Sequence, residues 1–381
     1  MSLTLNASRS ALLSALSDAA STRDRNPANP IYNAVLLTFE KNNISVRAIS
    51  QSGSVRILCV GNGSGSACFN PDELIAWLKV CSDDVVRLED ADNERIEAKC
   101  GKSSRKIACV PPSTFPVPRD EDTKPAFTIK GNALAEALAS ASVSMAPGDN
   151  RYGLSVVHIE YEPGTVMLTA TDGHRLIRVT TAADTTETGS FDMTAVSVAN
   201  VRKIHKDTDA DVKVSVGSTG YSVDSGDVSM HFRKAEVQYP DYRAFVPKKH
   251  RYSIRFNREH MVGVMLRMSV GVDAGKVAET RMAFSGNEIE IVRHAEHGRA
   301  VETAPFGMDG GGNADLTINA VYMAELLRTM TGDDVVFHFY NPGGDDSKAW
   351  SFPCLIEPAE KPENYNDIYM IMPIAPITER K

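Results

Sequence analysis

The sequence predicts an α+β protein of three repeated domains, each with two helices packed on antiparallel sheet. A strand that opens a helix occurs three times, as Leu3-Thr4-Leu5-Asn6, Phe127-Thr128-Ile129-Lys130 and Tyr252-Ser253-Ile254-Arg255; Ile129 and Ile254 lie 124 and 249 residues after Leu5. A second marker keeps the same step: Phe69-Asn70, before a helix at 71–80, lies 249 residues ahead of Ile318-Asn319, before a helix at 320–330. The segment 193–206 supplies the middle copy, and each of these helices runs into a Val-rich strand: Asp84-Val85-Val86, Asp211-Val212-Lys213-Val214 and Asp334-Val335-Val336. Two independent markers in one step indicate domains at 1–122, 123–249 and 250–381, each of about 125 residues, an ordinary domain size.

In the first repeat, Leu12, Leu13, Leu16 and Ala19 recur at helical spacing across 7–20, the stripe of a helix lying on a core. Residues 31–39, 43–50 and 55–60 alternate or run apolar and read as strands. Pro71 suits the first turn of the second helix, where its missing N–H leaves nothing unpaired, and Asp72 and Glu73 suit the positive end of the helix dipole. Strands follow near 85–89, 95–100 and 106–110; the glycine-rich 61–66 and 310–313 read as hairpin tips or flexible excursions. Segments 118–125 and 246–251, carrying Pro and charge, read as connectors between domains. Helices and strands segregated in this way imply helices on one face of the sheet.

With 381 residues, 42% hydrophobic and 24% charged, the chain can bury several cores. Its N-terminus has no basic region followed by an apolar one, so no signal peptide is expected. No apolar run approaches the ~20 residues that span a bilayer. Cys59, Cys68, Cys81, Cys100, Cys109 and Cys354 show no metal spacing, and reduced cytosolic thiols are expected. A net charge of −8 argues, as a sum, against a nucleic-acid partner. Placement matters more, because screening limits each charge to about 8–10 Å. The predicted helices carry Arg9, Lys79, Arg202, Lys203, Lys206, Arg258, Arg267 and Arg328, whereas Asp83, Asp84, Glu89, Asp90, Asp92, Glu94, Asp333, Asp334, Asp345 and Asp346 crowd strands and loops. Singly these are solvated faces; as a set they suggest helices that face a polyanion through sequence-blind phosphate contacts.

The sharpest motif is Thr171-Asp172-Gly173-His174-Arg175-Leu176 after a strand at 166–170. Asp-Gly there predicts a tight turn between two strands. An enzyme would use His174 as base, Asp172 to orient it and Arg175 beside them, but no nucleophile motif accompanies them. Gly61-Asn62-Gly63-Ser64-Gly65 lacks the Gly-Lys-Ser/Thr ending, and Gly101-Lys102-Ser103 lacks the earlier glycine, where Ile96 stands; neither is a P-loop. His294 and His297, three apart on a predicted strand, point to opposite faces. No catalytic residue, metal or cofactor is expected.

Leu168-Thr169-Ala170-Thr171-Asp172-Gly173-His174-Arg175-Leu176, Tyr239-Pro240-Asp241-Tyr242-Arg243 and Tyr369-Met370-Ile371-Met372-Pro373-Ile374 resemble the bacterial β sliding clamps, the processivity subunits of DNA polymerase III, and the resemblance covers essentially the whole chain. It implies a non-catalytic, head-to-tail dimeric ring of clamp domains, helices lining a hole around double-stranded DNA, in the cytoplasm at the nucleoid. It implies a pocket for short Gln-Leu-rich peptides of the polymerase, the clamp loader and repair polymerases. Carried onto this chain, the pocket is Leu154, Thr171, Gly173, His174, Arg175, Leu176, Pro240, Phe245, Asn319, Tyr322, Cys354, Met370, Ile371, Met372, Pro373 and Ile374. It adds Arg23, Arg25, Arg151 and Tyr152 to the DNA-facing set. Ring closure is expected to set Lys102, Arg105, Lys106 and Ile107 of one protomer against Glu296 and Glu302 of the other. Departures from the family pattern are Ala244, Gly153, Asn26, the pair Ala375-Pro376 and a polar tail at 377–381. The rival readings are the nucleic-acid-processing enzyme built on Asp172, His174 and Arg175, and a monomeric three-domain binding module.

Overall fold

The computed structural model describes residues 3–23, 28–91, 94–116, 122–148, 153–273, 275–295, 298–309, 314–339, 351–363 and 365–375. Among these are six α-helices: α1 (Arg9–Ser21), α2 (Asp72–Val80), α3 (Gly131–Ser142), α4 (Ala195–His205), α5 (Arg258–Ser269) and α6 (Ala320–Thr329). Antiparallel strands make up most of the remainder, so the α+β class holds.

The repeat is visible in the helix caps. Ser8 accepts a hydrogen bond from the Ala11 N–H at 3.2 Å to start α1, and Asn257, 249 residues later, accepts one from the His260 N–H at 2.9 Å to start α5. Asn70 Oδ1 accepts from the Asp72 N–H at 3.0 Å, and Asn319 Oδ1 from the Val321 N–H at 3.1 Å. These side chains satisfy amide groups that the helix itself leaves unpaired. Helix α1 buries Leu12, Ala15, Leu16 and Ala19; α5 buries Met261, Val264, Met265 and Met268. Each large apolar side chain so buried contributes about 1.5–3 kcal/mol.

The chain forms two compact units: Met1–Glu136 with Tyr161–Thr165 and Ala182–Ala235, and Ala137–Glu160 with Val166–Thr181 and Glu236–Lys381. They cut across the expected three-way division because strands of the middle repeat join strands of both its neighbours. In the first unit Val228–Arg233 pairs with Gly53–Ser64, with Met230 opposite Val55, inside a twelve-stranded antiparallel sheet. In the second, Arg175–Ala182 pairs with Ile368–Ile371, Leu176 opposite Met370. Its sheet continues through Cys354–Pro358, Asp334–Phe339 and Tyr252–Asn257. A four-stranded sheet in the same unit ends on Gly298–Pro305.

The glycine run expected as a hairpin tip is strand instead. Gly61, Asn62 and Gly63 continue the strand Gly53–Ser64 and pair with Ala7, Asn6 and Leu5. Gly63 has φ +143°, and a Cβ there would lie 1.9 Å from the Thr4 carbonyl oxygen, so the close approach of the two strands requires glycine. The expected excursion at 310–313 lies outside the described residues. The strand expected from residue 31 starts at Val35, after a 3₁₀ turn at Pro30–Asn33.

Candidate functional site

The turn Asp172–His174 is pinned by its own side chains. Asp172 Oδ1 accepts from the His174 and Arg175 amides, both at 3.0 Å. Thr171 Oγ1 donates to the Arg175 carbonyl at 2.7 Å and accepts from the Gly173 amide at 3.1 Å. Gly173 supplies φ +86° at the bend. The His174 carbonyl accepts from the Met372 amide at 2.7 Å, which carries the pairing with the C-terminal strand one residue beyond Ile371.

Arg175 folds inward. Its Nε donates to Asp172 Oδ2 at 3.0 Å, its Nη1 donates to Glu325 of α6, and its guanidinium carbon lies 4.1 Å from the centre of the Tyr322 ring. Burial, with the negative charge of Asp172 next in weight, raises the Tyr322 phenol above its ordinary pKa. His174 is exposed, its ring 6.3 Å from Tyr322.

These residues frame an apolar cavity of about 390 Å³ lined by Leu154, Thr171, Gly173, His174, Arg175, Leu176, Pro240, Tyr242, Phe245, Ser351, Pro353, Met370 and Met372. Leu176, Tyr242 and Met370 form a buried cluster beneath it, and Phe245 stands 66% exposed. Tyr242 is held by donating to Glu160 Oε2 at 2.8 Å. A volume of this kind, apolar with few polar groups, suits a peptide anchor, and methionines adapt to varied ligands.

Six residues expected in the pocket do not line it. Asn319 is buried as the cap of α6, and Tyr322 lies beneath the Arg175 guanidinium. Cys354 and Ile371 face each other across paired strands, fully buried. Pro373 is buried, and the Ile374 amide donates to the Thr317 carbonyl at 2.6 Å, which draws the chain away toward the strand Ala314–Asn319. Tyr242, Ser351 and Pro353 were missed. Tyr242 stood in the Tyr-Pro-Asp-Tyr motif and was legible as the residue after its aspartate; Ser351 and Pro353 carried no sequence signal.

Several basic residues expected to face DNA are used internally. Arg9 Nη1 donates to the Leu78 carbonyl at 3.1 Å, and Arg258 Nη1 to the Leu327 carbonyl at 3.3 Å, so each ties the end of its repeat's second helix. Arg23 is held by the Asn33 carbonyl at 2.6 Å and by Asp72. Lys203 pairs with Asp18 at 3.3 Å, and Arg267 with Glu302 at 2.7 Å. Lys206 sits a loose 3.7 Å from Asp207. Lys79 and Arg328 are exposed, and Arg202 is half-buried. Arg25, Arg151 and Tyr152 lie outside the described residues.

Of the residues expected at ring closure, those described lie on or beside two sheet edges. Among the described residues Ser103–Val110 pairs on its second side only through Cys109 and Val110, and Gly298–Pro305 is the last strand of its sheet. Lys102 and Lys106 are exposed. Ile107 is 3% exposed, its side chain turned into the core of its own chain. Arg105 Nε donates to Glu73 at 2.7 Å, and Glu302 is taken by Arg267. Glu296 lies outside the described residues. No three His, Cys, Asp or Glu side chains among the described residues are grouped to hold a metal ion, and no helix there is long and apolar enough to cross a membrane.

Residues 128–241 match the family model of the DNA polymerase III beta subunit central domain, and residues 243–374 that of its C-terminal domain. The beta sliding clamp of Haemophilus influenzae is 22% identical over 372 residues, covering 96% of this chain and 98% of that one. That of Caulobacter vibrioides is 24% identical over 355 residues, covering 90% and 94%. The solved sliding clamp of Bacillus subtilis superposes with a TM-score of 0.89 at 16% identity, covering 99% of this chain and 100% of its own. The Pseudomonas aeruginosa clamp, solved bound to griselimycin, gives 0.88 at 20% identity, covering 98% and 100%. The chain belongs to the DNA polymerase III beta subunit family, the non-catalytic sliding clamps of bacterial DNA replication.

Proposed function

We propose that the chain closes as a head-to-tail homodimeric ring around double-stranded DNA, in the cytoplasm at the nucleoid, and tethers the replicative polymerase there. Each protomer contributes three domains, 1–122, 123–249 and 250–381. Topology keeps such a ring on the duplex, so DNA contacts need only be weak and sequence-blind. Lys79, Arg202, Lys206 and Arg328, joined by Arg25, Arg151 and Tyr152, supply them. Clamp loader, polymerase and repair polymerases insert a short apolar peptide between Leu154, Leu176, Pro240, Met370 and Met372.

The observation that carries this reading is the apolar cavity of about 390 Å³ between the pinned turn and the C-terminal strand, in a chain of this family. Met372 is half-buried at its wall. Met372→Ala is expected to weaken a Gln-Leu-rich peptide at least about tenfold, read by fluorescence titration, while loaded protein remains on closed circular DNA and leaves it on linearisation. Unchanged affinity in both Met372→Ala and Leu176→Ala overturns the pocket, and loss from closed circles at the same rate as from linear DNA overturns the ring.

A further inference from the structure

We infer that Glu325 sets the charge preference of the peptide pocket by neutralising Arg175, an inference that rests on the pocket reading above. Arg175 lines the cavity, yet its side chain is only 8% exposed. Two carboxylates hold it: Asp172 at Nε, 3.0 Å away and itself 8% exposed, and Glu325 at Nη1. Tyr322 supports the guanidinium from below at 4.1 Å. Nη2 has no hydrogen-bond partner among the described residues, so one donor remains for a ligand oxygen.

The two acids are not equivalent. Asp172 also accepts from the His174 and Arg175 amides and builds the turn. Glu325 has no structural duty beyond Arg175: it comes from α6, 150 residues away in sequence, its side chain is 42% exposed, and Arg175 is its one hydrogen-bond partner among the described residues. With both carboxylates in place, one cation faces two anions, and the floor of the pocket carries no positive charge to offer. An apolar, uncharged peptide residue is then favoured over an acidic one. Without the Glu325 charge, Arg175 is matched one to one by Asp172, and its free Nη2 can bind a peptide carboxylate bidentately with Nη1. Glu325 is therefore a positioning and specificity residue that acts through Arg175.

The test uses the full chain and two peptides: a Gln-Leu-rich hexapeptide, and its copy with one Gln replaced by Glu. Wild type is expected to prefer the neutral peptide. Glu325→Gln is expected to move the ratio of the two affinities toward the acidic peptide by a factor on the order of ten, and the move shrinks as salt is raised. Glu325→Asp, which keeps the charge, is expected to stay near the wild-type ratio. A purely structural role would weaken both peptides equally and leave the ratio alone. If both peptides bind and Glu325→Gln leaves their ratio unchanged, the inference is overturned while the pocket stands; if wild type binds neither, the pocket reading falls and the inference with it.

Discussion

Glu357 is the end of a hydrogen-bonded row that crosses three adjacent strands. Ser253 Oγ lies 2.9 Å from His338 Nδ1, His338 Nε2 lies 3.2 Å from Glu357 Oε2, and Lys361 Nζ approaches the same oxygen at 2.7 Å. The His250 ring packs at a tilt of 38° against His338, centroids 4.2 Å apart. The hydrogen bond from His338, and after it those from Lys361, outweigh burial and hold the Glu357 carboxyl at about 2, against an ordinary 4.5. A depressed acid stabilises the fold above its unfolded pKa, and that share is lost as pH falls from about 4.5 to about 2. The loss is expected to be on the order of 1–2 kcal/mol after allowance for solvent. Chemical unfolding measured at pH 6, 4 and 2.5 should show Glu357→Gln less stable than wild type at pH 6 and the gap closing toward pH 2.5; a gap that stays constant with pH contradicts the assignment. A Ser, a His and a Glu are the residue types of a nucleophilic triad, but none of the three lines the cavity, and the family is not catalytic.

At the level of elements, the repeat gives the same job to residues that look unrelated in the sequence. Arg9 and Arg258, 249 positions apart, each donate to a carbonyl in the last turn of their repeat's second helix, Leu78 and Leu327. A guanidinium there satisfies orphan carbonyls and meets the negative end of the dipole. The middle repeat has no such arginine: Ala133 stands at the matching step. Arg258→Ala should therefore cost about 1–2 kcal/mol in urea unfolding and leave DNA retention intact. Arg328→Ala, exposed on α6, should leave stability within about 0.5 kcal/mol and reduce the salt dependence of DNA binding. Equal behaviour of the two variants would refute this division. The helices, the hairpin at Asp172-Gly173 and most strands were legible because periodicity and turn chemistry are local. Which cations serve the fold was not, since Arg9 and Arg258 reach carbonyls 69 residues away. Nor could composition show that Gly61–Gly63 is strand: the need for glycine arises from the Thr4 carbonyl pressed against it. At the pocket, the turn and the Met residues were legible from the motif. The inward fold of Arg175 was not, because Glu325 lies on a distant helix.

At the scale of the molecule, a sheet edge that stays unpaired exposes amide groups able to template another strand. Ser103–Val110 offers such an edge over residues 103–108, and Gly298–Pro305 offers another. They belong to the first and third repeats, so pairing between two copies would satisfy both edges twice, the closed arrangement of a two-fold dimer. Charge alone does not explain that pairing, since Arg105 and Glu302 are already matched within the chain. Val301, 48% exposed on the second edge, supplies apolar area instead. Burying a carboxylate there strips it of water, so Val301→Asp is expected to raise the dimer dissociation constant by at least about tenfold. Sedimentation velocity across a dilution series reads this directly. Because Val301 lies outside the core, thermal unfolding of the dissociated chain should move little. Reversal of the exposed basic residues, Lys102→Glu with Lys106→Glu, is expected to weaken the dimer less, and only at low ionic strength. Sedimentation of Val301→Asp that matches wild type at every concentration would remove this edge from the ring.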